Sequence, residues 1–342
     1  MKSSIIATMV AAAAAALAGV AHADATPDYS LTNSIPLGSP DRWDYAVFDG
    51  PTMRVYVAHG ERLTVLDART GELIGQVEGI AGGTHGTAIS DREGLGFTDD
   101  GEKGEVVAFD LKTLKIIGHI PAGADADGMV RDPATGHIFV IEGDPGTVTV
   151  IDPAQRKAIA TINAGEKMEY AAADGQGHVF VAGEANSDVV EIDAHTNRIM
   201  ARWPAPNCRS PHGLALDKAG QRLFMGCANA RLMVLDAHSG HVVADLAIGS
   251  GSDAIAFDPV RKRVFSSNGR DGTVTIYQQI SADEYTVRAP IRTAVSGRTM
   301  TLDPATGRLF VIAADTDPSS TPGGRPHIRP GTVRALIYDP VQ

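Results

Sequence analysis

The chain has 342 residues, a net charge of −11, 37 glycines, few aromatic residues and only two cysteines. An acidic balance of this size argues against nucleic acid or an anionic membrane as the main partner, because binding polyphosphate needs a basic field. The length allows one large core or two domains, so the internal pattern has to decide.

At the N-terminus, Lys2, the apolar run Ile5 to Val20 and the small-x-small triplet Ala21-His22-Ala23 have the order of an export signal. Residues 1–23 are therefore expected to be removed, leaving 24–342 in the periplasm or secreted. A transmembrane reading of the same run is the alternative. The run is short, however, no stop-transfer charges follow it, and no later segment approaches the roughly 20 apolar residues of a span.

From Leu63 onward the sequence repeats. An apolar strand ending in aspartate recurs at Leu63–Asp67, Val106–Asp110, Val148–Asp152, Val189–Asp193 and Leu232–Asp236, with the aspartates 43, 42, 41 and 43 residues apart. Alternating with it is a strand that carries one aromatic: Tyr56, Phe97, Phe139, Phe180, Phe224, Phe265 and Phe310. Seven aromatics mean seven repeats, and four short strands per repeat of about 42 residues is the length of a propeller blade. The expected fold is all-β: a seven-bladed β-propeller with four antiparallel strands per blade. The last repeat stops one strand short after Thr332 to Asp339, while Leu31–Gly38 matches Ile116–Gly123. The N-terminal strand is thus expected to complete the seventh blade, leaving no residues for a second domain.

These repeats resemble the YVTN β-propeller repeat family and its exported YncE-like members. Tyr56–Gly60 (Tyr-Val-Ala-His-Gly), Val148–Pro153, Gly272–Ile276 and the glycine near the end of each fourth strand carry the likeness, which extends over the mature chain. The resemblance implies the architecture. The roles proposed for such proteins are extracellular binding, surface layers and, for one bacterial relative, DNA binding, so function has to be argued from residues.

Aligned repeats place one polar residue per blade where the innermost strand begins: Asp44, His85, Asp127, Glu169, His212, Asp253 and Arg298. This ring defines the expected ligand site at the channel mouth. A water-filled funnel also tolerates such residues without any ligand. His85, Asp127, Glu169 and His212 offer mixed nitrogen and oxygen donors for a possible divalent ion of the zinc, copper, nickel or iron type. His85, His212 and Arg298 are candidate acid, base and electrostatic groups for a lactonase-like hydrolase or a lyase. Against this stands a plain binding protein for a small polar or cationic ligand, or for a protein partner on the same face.

The connection between second and third strands opens on that face, and His59, Asp100, Glu142, Glu184, Asn268 and Asp315 fall there as an expected second, acidic layer. In the seventh blade this loop is a long insertion, 315–331, whose Arg325, His327 and Arg329 could fold over the mouth as a lid or belong to a loose linker. Cys208 and Cys227 fall in two loops of blade 5 on one face, compatible with a disulfide; a redox or metal pair lacks the C-x-x-C spacing. No nucleophile elbow, Walker A, dinucleotide, zinc-protease or haem-attachment signature is present in the sequence.

Overall fold

The computed structural model describes residues 28–341 except 320, 322, 323 and 325. The expected export signal, residues 1–23, and Arg325 lie outside the described residues. Seven four-stranded antiparallel sheets follow one another along the chain, one of them carrying an extra short strand. No α-helix occurs among the described residues, only a single 3-10 turn at Gly101–Lys103. In blade 1 the strands run Ala46–Asp49, Arg54–His59, Arg62–Asp67 and Leu73–Glu78 from the axis outward. Each inner strand contacts that of the next blade, and Thr299–Asp303 of blade 7 contacts Ala46–Asp49 of blade 1, so the ring is closed.

Closure takes the form expected from the sequence. Blade 7 contains Thr299–Asp303, Arg308–Ala313 and Arg334–Pro340, and its outermost strand is Tyr29–Pro36 from the other end of the chain. That strand pairs antiparallel with Arg334–Pro340 from Tyr29↔Pro340 to Pro36↔Arg334. The first and last strands therefore hold each other, and no blade is left incomplete at the seam.

The core lies between blades. All seven repeat aromatics are fully buried, each at the centre of a second strand, and the apolar clusters join neighbours: Phe139 packs with Val179 and Val190 of blade 4, and Phe310 of blade 7 with Val55 and Val57 of blade 1. The recurrent strand-ending aspartates are turn caps. Asp67 Oδ1 accepts the backbone N–H of Arg69 and Thr70 at 2.8 and 2.9 Å, and Asp110, Asp152, Asp193 and Asp236 repeat the arrangement.

The disulfide forms between Cys208 and Cys227, whose Cα atoms are 5.3 Å apart. The insertion in blade 7 begins and ends as a small hairpin, Thr316–Asp317 against His327–Ile328.

Candidate functional site

The ring residues reach the axis through a local irregularity in their strands. In blades 3 to 6 the pairing of the inner strand slips between Ala126 and Met129, Met168 and Ala171, Pro211 and Leu214, and Ser252 and Ile255. Asp127, Glu169, His212 and Asp253 sit in those bulges, which turn a side chain out of the pleat. Asp44, His85 and Arg298 lie one or two residues before their strands.

Asp44, Asp127, Glu169, His212, Asp253 and Arg298 line one cavity of about 830 Å³ at the channel mouth. The Arg298 guanidinium joins three blades: it donates to Asp253 Oδ2 at 3.0 Å and to the Trp43 carbonyl at 2.7 Å, and lies 3.6 Å from Asp44 Oδ2. His212 Nδ1 is 3.3 Å from Glu169 Oε1. His85 is set back from the cavity; its Nδ1 meets Asp99 Oδ2 at 2.8 Å, while Asp99 Oδ1 accepts the backbone N–H of His85 and Gly86. Asp127 has neither a hydrogen bond nor an ion pair with any described residue.

The electrostatics follow from this pairing. Burial pushes the Asp44 carboxyl up to about 7 against the pull of Arg298. Burial and the nearby Asp44 and Glu169 charges hold Asp127 well above the usual carboxylate range. Burial opposes charge on His85, but the hydrogen bond and charge of Asp99 outweigh it and lift the imidazole to about 9. His212 is likewise raised by Glu169 against the effect of burial.

Two tyrosines absent from the sequence reading floor the site. Tyr45 of blade 1 and Tyr170 of blade 4 follow Asp44 and Glu169, and their rings meet across the channel with centroids 4.6 Å apart. Tyr45 Oη donates to Glu169 Oε2 at 3.2 Å. The channel is thus crossed by an aromatic pair below the polar ring. The signal was available in the same column of the alignment, where the other five blades carry the small residues Gly86, Gly128, Gly213, Ala254 and Thr299. Asp99 was missed because its strand position reads as interior, and only the fold brings it to His85.

The expected second layer is corrected. His59, Asp100, Glu142 and Asn268 are fully buried, at the ends of their second strands. His59 bonds the Pro40 carbonyl at 2.7 Å and Thr64 Oγ1 at 3.1 Å. Asp100 accepts the Gly82 N–H at 2.8 Å, and Glu142 accepts the Gly123 N–H at 2.6 Å together with the hydroxyls of Thr147 and Thr149. Asn268 donates to Thr273 and Thr275. Each ties the end of the second strand to the third strand or to the loop entering its own blade. A Cβ on Gly82 or Gly123 would lie 2.1 Å from Asp100 Oδ1 or 2.5 Å from Glu142 Cδ, so the recurrent glycine is the space this tie needs. Cys227 occupies the same position in blade 5, where the bridge to Cys208 is the covalent form of the tie.

Glu184 stands one residue beyond that register. It does line the mouth, paired with Lys167 at 3.0 Å. Asp315 pairs with Arg334, and Arg329 pairs with Asp317 at 2.6 Å, so Arg329 serves its own hairpin rather than the ring. His327 is exposed beside them, while Thr316, Pro326 and Ile328 border the cavity. The expected acidic face is in fact mixed, because Arg42, Lys167, Arg270 and Arg298 share the mouth with the acids. The four-residue metal set is not assembled either. Among the described residues no three His, Cys, Asp or Glu side chains are gathered so as to hold a metal ion; His85 turns to Asp99 and His212 to Glu169.

Among known proteins, the chain is similar to YncE of Salmonella typhimurium strain LT2, described as uncharacterized, with 28% identity over 165 residues and 46% of each chain covered. YncE of Escherichia coli K12 is 27% identical over 137 residues, 38% of each chain. The matched stretch spans less than half the length of these relatives. Among solved structures, U3-55K superposes with a TM-score of 0.75 at 10% identity, covering 92% of this chain and 98% of that one. Hydrazine synthase of Kuenenia stuttgartiensis gives 0.68 at 16% identity, over 81% and 92%. At such identities these two show the fold alone. The family model PQQ_2, described as outer membrane protein assembly factor BamB, matches residues 102–320, well over half of the chain, and the chain belongs to that β-propeller family as a YncE-like member.

Proposed function

We propose that this is an exported envelope protein, matured by loss of residues 1–23, whose propeller of residues 24–342 binds a small polar ligand at the channel mouth. The observation that carries the reading is the cavity itself: charged side chains from separate blades converge on one space that a tyrosine pair closes below. Its size suits a small molecule, and Arg298, Asp253, His212 and Glu169 are held by cross-blade pairs. The buried disulfide suits an oxidising compartment, and the matching family is described as an outer membrane protein assembly factor, a role in the cell envelope. No helix among the described residues is long and apolar enough to cross a membrane.

A second reading, a hydrolase or lyase, draws on one observation: the buried Asp99 carboxylate orients His85, as an acid–base dyad requires. One experiment separates the two. The purified exported form is heated with a panel of small polar compounds, and each compound is assayed for consumption. The binding reading expects a saturable rise in Tm, since a ligand of the native state at about 100 times its Kd adds about 2.7 kcal/mol. The rise should vanish in Arg298→Ala, with the compound recovered intact. Protection that survives both Arg298→Ala and Glu169→Gln would place the ligand elsewhere and end the proposal.

A further inference from the structure

The unsatisfied groups at the mouth are unevenly placed. Arg298 shares its charge with Asp253 and Asp44. Arg42 and Arg270 line the same cavity, are exposed, and have no carboxylate partner among the described residues. Arg270 stands next to Arg298, since Gly269 packs so closely on Arg298 that a Cβ there would be 2.7 Å from Arg298 Cβ, whereas the Arg42 guanidinium lies against Gly83 in the loop entering blade 2. Two guanidinium groups, Arg270 and Arg298, thus share one arc, blades 6 and 7. Blade 3 faces that arc across a seven-membered ring and presents Asp127, half-buried, lining the cavity and without a partner. The tilted ring pair of Tyr45 and Tyr170 crosses the channel, with Tyr45 lining the cavity.

Building on the mouth-binding reading, we propose that the ligand is a small zwitterion with separated ends, its carboxylate on Arg270 beside Arg298 and its ammonium group on Asp127, as in an ω-amino acid or a dipeptide. Each alternative class leaves a charge opposed or idle. A dication brings like charge to the arginines, a dicarboxylate brings it to Asp127 and Glu169, and a neutral sugar uses neither end. A zwitterion meets both, and its spacer lies along the tyrosine rings. The unpartnered state of Asp127 has a visible cost, since burial and its acidic neighbours drive the carboxyl toward its protonated form; an ammonium group would reverse this.

The test uses the exported form with glycine, 4-aminobutanoate, 6-aminohexanoate and glycylglycine, with hexanoate and hexylamine as one-ended controls. At least one long zwitterion should raise Tm and bind in calorimetry, with glycine and both controls weaker by about tenfold or more. Arg270→Gln, at an exposed position where the fold is preserved, and Asp127→Asn should each weaken that binding about tenfold, with the unliganded Tm of Arg270→Gln unchanged. If hexanoate or hexylamine protects as well as the zwitterion, or if no zwitterion protects, the inference is overturned. If a neutral sugar or a dicarboxylate instead protects in an Arg298-dependent way, the zwitterion is wrong while mouth binding stands. Protection by nothing in either panel removes both.

Discussion

Two sets of polar residues occupy repeating positions of the blades in this propeller, one in all seven and the other in four, and in sequence they look alike. The strand-end set, His59, Asp100, Glu142 and Asn268, is fully buried, and each member is bonded within its own blade to neighbouring backbone or hydroxyls. The ring set lies at the channel mouth, and apart from His85, which bonds Asp99 of its own blade, its bonds cross from blade to blade: Arg298 to Asp253, His212 to Glu169, Tyr45 to Glu169. One set repeats the same structural tie with interchangeable chemistry, so that a histidine, an acid, an amide or a disulfide can all serve. The other joins acids to histidine or arginine in pairs that do not repeat from blade to blade, and leaves Asp127 with none. Satisfaction of polar groups, rather than their spacing, separates scaffold from site.

Glu142→Ala should break that contrast most sharply. It removes a buried carboxylate that accepts from Gly123 N–H, Thr147 and Thr149, and leaves three donors without it, Thr149 buried and the other two half-buried. Groups left unsatisfied in this way cost about 1 to 3 kcal/mol each where the site cannot relax, so a loss of about 3 kcal/mol is expected in denaturant unfolding. Affinity at the mouth should not change. A loss below about 1 kcal/mol would mean that water reaches the tie, and the strand-end set would then belong with the solvated residues.

The architecture was legible because it repeats. Seven aromatics, five turn aspartates and the unmatched strand Leu31–Gly38 each mark every blade or its closure, and burial of Phe139 or capping by Asp67 depends on local pattern. The ring positions were legible for the same reason. Their partners were not: Asp99 meets His85 only because strand and loop fold back, and Tyr45 meets Tyr170 across three blades. The strand-end residues were read as solvated because they adjoin turns, whereas the glycine of the incoming loop lets the loop backbone close over them.

Acid and alkali sharpen the comparison within the ring. Asp44 titrates at about 7 in the fold against an ordinary 3.8, so the folded chain holds a proton that the unfolded chain has released. Its contribution is therefore most favourable below 3.8 and declines as pH rises to about 7. His85, lifted from 6.5 to about 9, adds a decline with the same sign over that higher range. Unfolding free energy should thus fall between about pH 5 and about pH 9. Asp44→Asn should flatten the lower part of the slope and raise stability at about pH 8 by about 2 kcal/mol, part of the gain being offset because Arg298 loses a neighbour. A slope unchanged in Asp44→Asn would show that Asp44 is ionised in the fold at no cost.

The turn aspartates should respond in the opposite sense, and more weakly. Hydrogen bonds from Thr70 and Arg69 N–H hold the Asp67 carboxyl below 3.8. Its stabilisation is present above that value and is lost as acid protonates it, the reverse of Asp44. The position is partly exposed, so water replaces much of what is lost in Asp67→Ala, and the expected cost near neutrality is about 1 kcal/mol. That cost should shrink below about pH 3, because the wild-type carboxyl is then protonated as well. Measured in the same unfolding series, Asp67→Ala should leave the decline above about pH 5 untouched. If it steepened or removed that decline, the alkaline loss of stability would arise in the turns, and the ring would not be its source.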